Sequence, residues 1–385
     1  MKKVGIITLY YNNNNYGGVA QGYALRKYFE KIGYESEMIT YKSTSKNLGL
    51  VNKEKSIKII SKKVRNKIKR YVNQIREKKY INMYKNELEE RKRKLEKFRN
   101  DMPHSKVYDS SSINEIENNY DYFVTGSDQC WNPGVIDNGY VFSFLKGKNK
   151  KIFSYASSVA VSKVSDKYKN FMKKELEKYN TISIRELDSQ EILENITNRK
   201  IDWVIDPTLL LDYDDWNRIT SERILKEKYA FAYILGDDQK ERNIVKEIAK
   251  KKNLKLVTLP YIKDGNKFEF KIQDLNFGDE QMINISFEDF LSLIKYSELV
   301  ITDSFHAICF SYIFKREFYA IEKKSVISTS SRIKSMLSLM KCENRLIDDG
   351  NQIDERKINY DIVTENVSKL INKSKNFIDN SLERN

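Results

Sequence analysis

The stretch LVITDSFHAICFSYIFKREFYAIE, residues 299–322, places Asp303, Ser304 and His306 directly after an apolar, β-branched run. The chain has one other histidine, His104, so groups that exchange protons near neutral pH are few. Two readings of His306 stand: a general acid or phosphate contact, or a helix-start histidine making a structural hydrogen bond. Asp303 is a second acid–base candidate, with a helix cap as its plainer reading. Ser304 is also a capping type and is grouped here with the substrate-binding residues. Two arginines come next. Arg185 closes the run Thr181–Ile184, and an arginine at a strand's carboxyl end usually has an anion to meet. Its alternative is an ion pair with Glu186 or another carboxylate. Arg332 ends the segment Ser328-Thr329-Ser330-Ser331-Arg332, before a helix expected at 333–341, where guanidinium and hydroxyls suit an anion. The alternative there is a flexible loop.

Two polar clusters complete the candidates. Tyr11 to Gly18 is read as a Gly-ended loop between the strand Val4–Leu9 and a helix at Val19–Lys31, with Asn15, Tyr16, Gly17 and Gly18 as its binding residues. Strand, Gly-containing loop and helix form a phosphate- or sugar-binding layout. The glycines lack dinucleotide-fingerprint spacing, and no P-loop lysine follows. The second cluster is Gly126, Ser127, Asp128 and Gln129, at the end of the strand Tyr120–Thr125 and followed by Cys130, Trp131, Asn132 and Pro133. It suits sugar or phosphate recognition with Trp131 as a stacking face; the alternative is a turn around a buried Trp.

These residues need elements to hold them. At 385 residues the chain suits two domains. Short apolar runs alternate with helical periodicity in both halves, which predicts two doubly wound α/β domains facing a cleft. The expected domains are 1–215, carrying a basic helical insert at about 50–100, and 216–385, ending in a helix at 361–380. Further strands are expected at Glu35–Tyr41, Lys151–Ser157, Ile201–Ile205, Tyr229–Leu235, Lys255–Leu259, Met282–Ile285 and Phe318–Ile321. Cys130, Cys309 and Cys342 lie far apart with no CxxC spacing, so neither a disulfide framework nor a zinc site is expected. The apolar run of MKKVGIITLYY is too short for a signal peptide, and no window approaches a membrane span. A cytoplasmic protein is expected.

The net charge of +15 is concentrated. From Lys53 to Arg99 there are 19 Lys/Arg against 6 Asp/Glu, a local +13, and the remainder is close to neutral. In this insert Ile57, Ile60, Val64, Ile68, Tyr71 and Ile75 recur at three- and four-residue steps among the cations. Such a helix suits the inner face of an anionic membrane as a peripheral contact, or packs its stripe on its own domain. Nucleic acid is not expected, since no base-reading module accompanies it. Residues 85–99 mix charges at helical spacing and are expected to be solvent-exposed.

Taken in order, NYGGVAQGYALRKYF (15–29), GSDQCWNP (126–133), SYASS (154–158), ISIRE (182–186), DPTLLL (206–211), TDSFHAICFS (302–311) and SSRIKSML (330–337) resemble the polysaccharide pyruvyl transferase family. The resemblance implies a GT-B-like fold of two Rossmann-like domains. It implies transfer of pyruvate from phosphoenolpyruvate to two hydroxyls of a sugar, in a cell-surface polysaccharide or its lipid-linked precursor. The products are a cyclic ketal and phosphate, and no metal or other cofactor is needed. By the same resemblance His306 matches the family's functional histidine, Arg185 and Arg332 match positions expected to hold phosphate or carboxylate, and the loop at Asn15–Gly18 lines the cleft. Two other readings stay open: a GT-B glycosyltransferase using a nucleotide sugar, and a non-enzymatic module using the insert as a binding arm.

Overall fold

Apolar, β-branched runs buried on both faces favour parallel strands covered by helices, and this chain forms them twice. β1 (Lys3–Ile7) leads into α1 (Tyr16–Lys31) and β2 (Glu35–Met38). Two basic helices follow, α2 (Lys63–Met83) and α3 (Lys85–Asn100). The chain then forms β3 (Tyr122–Thr125), β4 (Lys151–Ser154), α4 (Asp166–Leu176), β5 (Ser183–Ile184), α5 (Leu187–Thr197), β6 (Asp202–Trp203) and α6 (Tyr213–Asn217). Strands pair in the order β2-β1-β3-β4, all parallel. β5 and β6 pair parallel beside them, and the bridges Phe153–Thr181 and Ser157–Ile184 link β5 to the β4 side.

The alternation then restarts with β7 (Tyr229–Tyr233), α7 (Gln239–Lys251), β8 (Lys255–Thr258), the hairpin strands β9 (Ile262–Asp264) and β10 (Phe268–Phe270), and β11 (Glu280–Gln281). It continues through α8 (Phe287–Lys295), β12 (Leu299–Thr302), α9 (Phe305–Ile313), β13 (Glu317–Ile321), α10 (Ser330–Met340) and α11 (Tyr360–Glu383). Strands β11, β8, β7, β12 and β13 are neighbours in that order, again all parallel. The expected strand at Met282–Ile285 falls just before, at Glu280–Gln281, while Ile283 and Ile285 are buried outside a strand.

This computed structural model describes residues 1–43, 50, 63–146, 150–264, 268–322, 330–348 and 353–383. Ile57 and Ile60 of the expected stripe, and Ser328 and Thr329 of the Ser/Thr-rich segment, lie outside the described residues. No described helix is long and apolar enough to cross a membrane.

The chain divides into two compact units, one of Met1–Asn52, Phe98–Ile219 and Ser325–Asn385, the other of Lys53–Lys97 and Thr220–Lys324. The expected division differs in two places. The basic segment groups with the second unit, because Tyr80 and Leu88 share a buried cluster with Ile262, Phe270 and Ile283. Tyr80 stacks on Phe270 with ring centroids 3.9 Å apart. The C-terminal helix groups with the first unit, because one face of α11 is buried along Val363, Val367, Leu370, Phe377 and Ile378. Its serines are fastened there too: Ile205 N–H donates to Ser374 Oγ (2.8 Å), and the hydroxyls of Ser381 and Thr181 are 2.6 Å apart.

Helix α3 corrects the expectation of a solvated 85–99. Leu88, Arg91, Leu95 and Arg99 are buried at helical spacing. Arginine permits this because its stem is apolar while its head stays hydrogen-bonded: Arg91 donates to Pro260 O (3.0 Å) and Arg99 to Asn13 O (2.7 Å).

Candidate functional site

The candidates gather in two groups, one in each unit. Asn15, Tyr16, Gly17, Gly18, Gly126, Ser127, Asp128, Gln129, Arg185 and Arg332 belong to the first. Asp303, Ser304 and His306 belong to the second.

In the first unit, α1 begins three residues earlier than the sequence suggests. Asn15 is its cap, accepting from Gly17 N–H at 2.9 Å, so Tyr16, Gly17 and Gly18 are its first turn and not a loop. All three are buried. A Cβ on Gly18 would lie 2.5 Å from Asn13 Nδ2, so glycine lets the Asn-rich turn fold back on the helix. Asn13 holds that turn by donating to Leu9 O (2.6 Å), and Arg99 binds it through Asn13 O and the Asn14 side chain.

The two polar clusters of the sequence are neighbours. Gly126 N–H donates to Ile7 O at 2.8 Å, and a Cβ on Gly126 would meet Thr8 Cβ at 3.2 Å. Thr8 Oγ1 donates to Ser127 O (2.6 Å) and accepts from Gln21 Nε2 (2.9 Å). Neither Thr8 nor Gln21 stands out in the sequence; only their places, at the end of β1 and one turn into α1, mark them. Trp131 is fully buried and donates to Tyr140 O (3.3 Å), so it offers no stacking face and takes the buried-Trp alternative. Gln129 is half-exposed and accepts from Asn132 Nδ2 at 3.2 Å. The serines of SYASS mostly stitch strand ends: Ser154 Oγ donates to Ser183 O (2.9 Å) and Ser157 Oγ to Gly126 O (3.0 Å).

Beyond these strand ends lies a buried knot of charge. Arg185 Nη1 donates to Asp206 Oδ2 at 2.8 Å and to Ser127 Oγ at 3.2 Å. Glu186 is 3.5 Å away and Asp128 3.8 Å. Burial alone would lower the pKa of Arg185, but Glu186, Asp206 and Asp128 more than offset it, so the pKa is raised. The ion-pair alternative for Arg185 is therefore met by three carboxylates. Asp206 is fixed in turn by Thr208, whose N–H and hydroxyl both donate to Oδ1 (3.0 and 2.7 Å). Glu186 accepts from Ser158 Oγ at 2.6 Å.

Arg332, in the first turn of α10, joins the same knot more loosely. It lies 3.9 Å from Glu186, and its buried Nε makes no hydrogen bond among the described residues. Burial and then the charge of Arg185 lower its pKa. An anion at this guanidinium would relieve both, so Arg332 has more capacity for a ligand than Arg185. Asp128 has a φ of +71°, a left-handed conformation that Asp tolerates and that nine other described non-glycine residues share. In the sequence Glu186 stands only as an alternative partner of Arg185 and Asp206 only as part of DPTLLL, since no local spacing tells which carboxylate meets which arginine.

In the second unit the expected strand–turn–helix is present. Ser304 caps α9, accepting from Ala307 N–H at 3.5 Å. Asp303 does not cap it. Its two oxygens accept from the backbone N–H groups of Leu235 (2.5 Å) and Gly236 (2.6 Å), tying the end of β7 to the end of β12. His306 lies in the first turn of α9, 8% exposed, with its ring edge-on to Phe305 at 5.3 Å. Cys309 is fully buried, as its apolar position suggests.

With this geometry in hand, comparison with known proteins identifies the lineage. The chain matches the family profile of polysaccharide pyruvyl transferase over residues 15–325. No match was found among curated proteins. Among solved structures, a glycosyltransferase from Rickettsia africae superposes with a TM-score of 0.53 at 11% identity, covering 100% of this chain and 99% of that one. The UDP-GlcNAc 2-epimerase of Methanocaldococcus jannaschii gives 0.46 at 12% identity, covering 97% and 93%. The fold is GT-B-like, with two Rossmann-like domains. The family profile spans the Asn15–Gly18, Gly126–Gln129, Arg185 and His306 segments at once, and the chain belongs to the polysaccharide pyruvyl transferase family.

Proposed function

We propose that this protein moves the pyruvyl group of phosphoenolpyruvate onto two hydroxyls of one sugar in a surface polysaccharide or its lipid-linked precursor. The observation that carries this reading is the family match over residues 15–325. The buried arginines support it, because phosphoenolpyruvate carries a phosphate and a carboxylate and needs cations that stay charged. Arg332 takes one of these anionic groups. Arg185, anchored by Asp206, orients the knot.

The chemistry needs one acid and one acceptor of protons. A proton added to the methylene carbon makes a methyl group and leaves the neighbouring carbon electrophilic. One sugar hydroxyl adds there, and phosphate leaves with its bridging oxygen. The second hydroxyl adds to the same carbon and closes the ketal. The two hydroxyl protons are released: one balances the proton on the methyl group, the other leaves with phosphate. His306 is the acid in this scheme. Asp303 serves by holding the turn that carries His306.

The test is phosphate release from phosphoenolpyruvate by the purified protein, with lipid-linked and nitrophenyl-linked sugars as acceptors and an acceptor-free control. Acceptor-dependent release, with product mass increased by a pyruvyl ketal, is expected. Consumption of a nucleotide sugar with no release from phosphoenolpyruvate would replace this reading with glycosyl transfer.

A further inference from the structure

Among the described side chains of helix α2, residues 73–83, some pack and others are exposed. In its C-terminal half Tyr80 is buried against Phe270 and donates to Gln281 Oε1 (3.1 Å). Glu77 accepts from Phe270 N–H at 3.0 Å, and Ile81 packs against the same cluster. The apolar stripe that the sequence shows is a different one. At about 3.6 residues per turn, Ile75 sits roughly 120–160° around the axis from Glu77, Tyr80 and Ile81. Ile75 is 53% exposed, and Met83, about 80° around the axis from it on the flank of this face, is 61% exposed. Stepping back from Ile75 by helical intervals, the sequence places Tyr71, Ile68 and Val64 at positions of the same face.

The charge is arranged to match. α2 carries eight Lys/Arg and a single carboxylate, Glu77, which is turned to the hairpin. Arg76, Lys78 and Lys79 are exposed beside Ile75. Exposed apolar side chains interspersed with cations, away from the residues that anchor the helix, are the pattern of an element lying in the plane of an anionic membrane.

We propose that the outer face of α2 docks the protein on an anionic lipid bilayer, with Ile75 and Met83 entering the headgroup–acyl boundary and Arg76, Lys78 and Lys79 meeting lipid phosphates. This rests on the helix's own geometry and charge, not on the pyruvyl-transfer reading. A bilayer is the occupant that the basic rim selects, since a second copy of this chain would bring a second local +13 against the first.

The experiment is co-sedimentation of the full-length protein with vesicles of phosphatidylcholine alone, and of phosphatidylcholine with phosphatidylglycerol, at low and high salt. Binding to the anionic vesicles only, weakened by salt, is expected. The variant R76Q/K78Q/K79Q lowers the partition coefficient roughly a hundredfold, at about a fivefold change per basic residue. The variant I75S/M83S lowers it about tenfold at unchanged charge. Both alter exposed side chains, and thermal melts coincident with wild type certify their folding. The control K240Q/K250Q, on the exposed side of α7, leaves partitioning within about twofold, since basic residues act only near the bound surface. Absence of binding to anionic vesicles at low salt overturns the proposal. So does an I75S/M83S variant that binds like wild type, or a K240Q/K250Q variant that loses as much as the helix variants. Light scattering that finds a dimer dissolved by I75S/M83S, with no vesicle binding, assigns the face to a second copy instead. Phosphate release in detergent-free buffer with a water-soluble acceptor is unchanged in the helix variants, so failure here and failure of the catalytic reading are told apart.

Discussion

The two units solve the same problem, a buried carboxylate at the carboxyl end of parallel strands, with different partners. In the first, Asp206 and Glu186 face a guanidinium, Arg185, whose side chain is only 2% exposed. In the second, Asp303 faces two backbone N–H groups, Leu235 and Gly236. The difference decides what each region can do. A carboxylate neutralised by arginine belongs to a knot whose balance shifts when another ion arrives. A carboxylate held by backbone amides belongs to the scaffold, and its charge fixes the turn that presents His306. The proposed function accordingly puts the anion in the first region and the proton donor in the second.

The sharpest way to break this contrast is to remove each arginine in turn. R185M strips the cation from Asp206 and Glu186, and an orphaned buried charge costs about 3–5 kcal/mol. The variant is expected to lose that stability in urea titrations and to lose activity with it. R332M removes the loosely paired cation, and its melt is expected to stay near wild type while the KM for phosphoenolpyruvate rises roughly 10²-fold or more, the scale of lost charge-assisted bonds. If both variants lose stability alike, Arg332 is structural and the anion must be held elsewhere.

The second region sharpens the comparison from the other side. H306A is expected to lower kcat by roughly 10² to 10⁴ with an unchanged melt, the usual range for a general acid. D303N keeps the shape but turns one of the two accepting oxygens into an NH₂ that faces a backbone N–H, so that hydrogen bond is lost and about 1.5–3 kcal/mol of stability is expected to go. Its kcat is expected to fall less than that of H306A. A D303N enzyme of normal stability and an H306A-sized loss of kcat would move Asp303 from positioning into the reaction.

How much of this was legible beforehand follows the range of each interaction. Strands and helices follow local periodicity, so β12, α9 and β13 lie where the run 299–322 indicates. Arg185 and Asp303 were visible as polar groups at strand ends. Their partners were not, because Asp206 is 21 residues from Arg185 and Gly236 is 67 from Asp303. The start of α1 was misjudged because glycines at a helix N-terminus read as loop, whereas here they allow close approach to Asn13. The exposure of α3 was misjudged for a related reason. Charge pattern cannot distinguish an arginine in water from one whose head reaches a carbonyl, as Arg91 does at Pro260.

A third carboxylate tests the rule without an arginine. Asp137 is 3% exposed and accepts from Tyr41 Oη (3.2 Å), Ser43 Oγ (2.5 Å) and Gly139 N–H (2.9 Å), and the Tyr140 N–H also favours its charged form. Burial outweighs these bonds and raises its pKa. The folded protein then holds a proton on Asp137 at pH values where the unfolded chain has released it. Stability must fall as pH rises from the ordinary carboxyl range of about 4 through the raised folded value, by about 1.4 kcal/mol per unit of difference. In D137N the amide oxygen still accepts from Gly139, and the two hydroxyls can rotate to accept from its NH₂. Urea midpoints for wild type and D137N should therefore converge near pH 4 and separate toward pH 7, with the variant the more stable. Parallel curves would mean that hydroxyls and backbone amides hold a buried charge as well as arginine does, and the distinction between the two units would lose its physical basis.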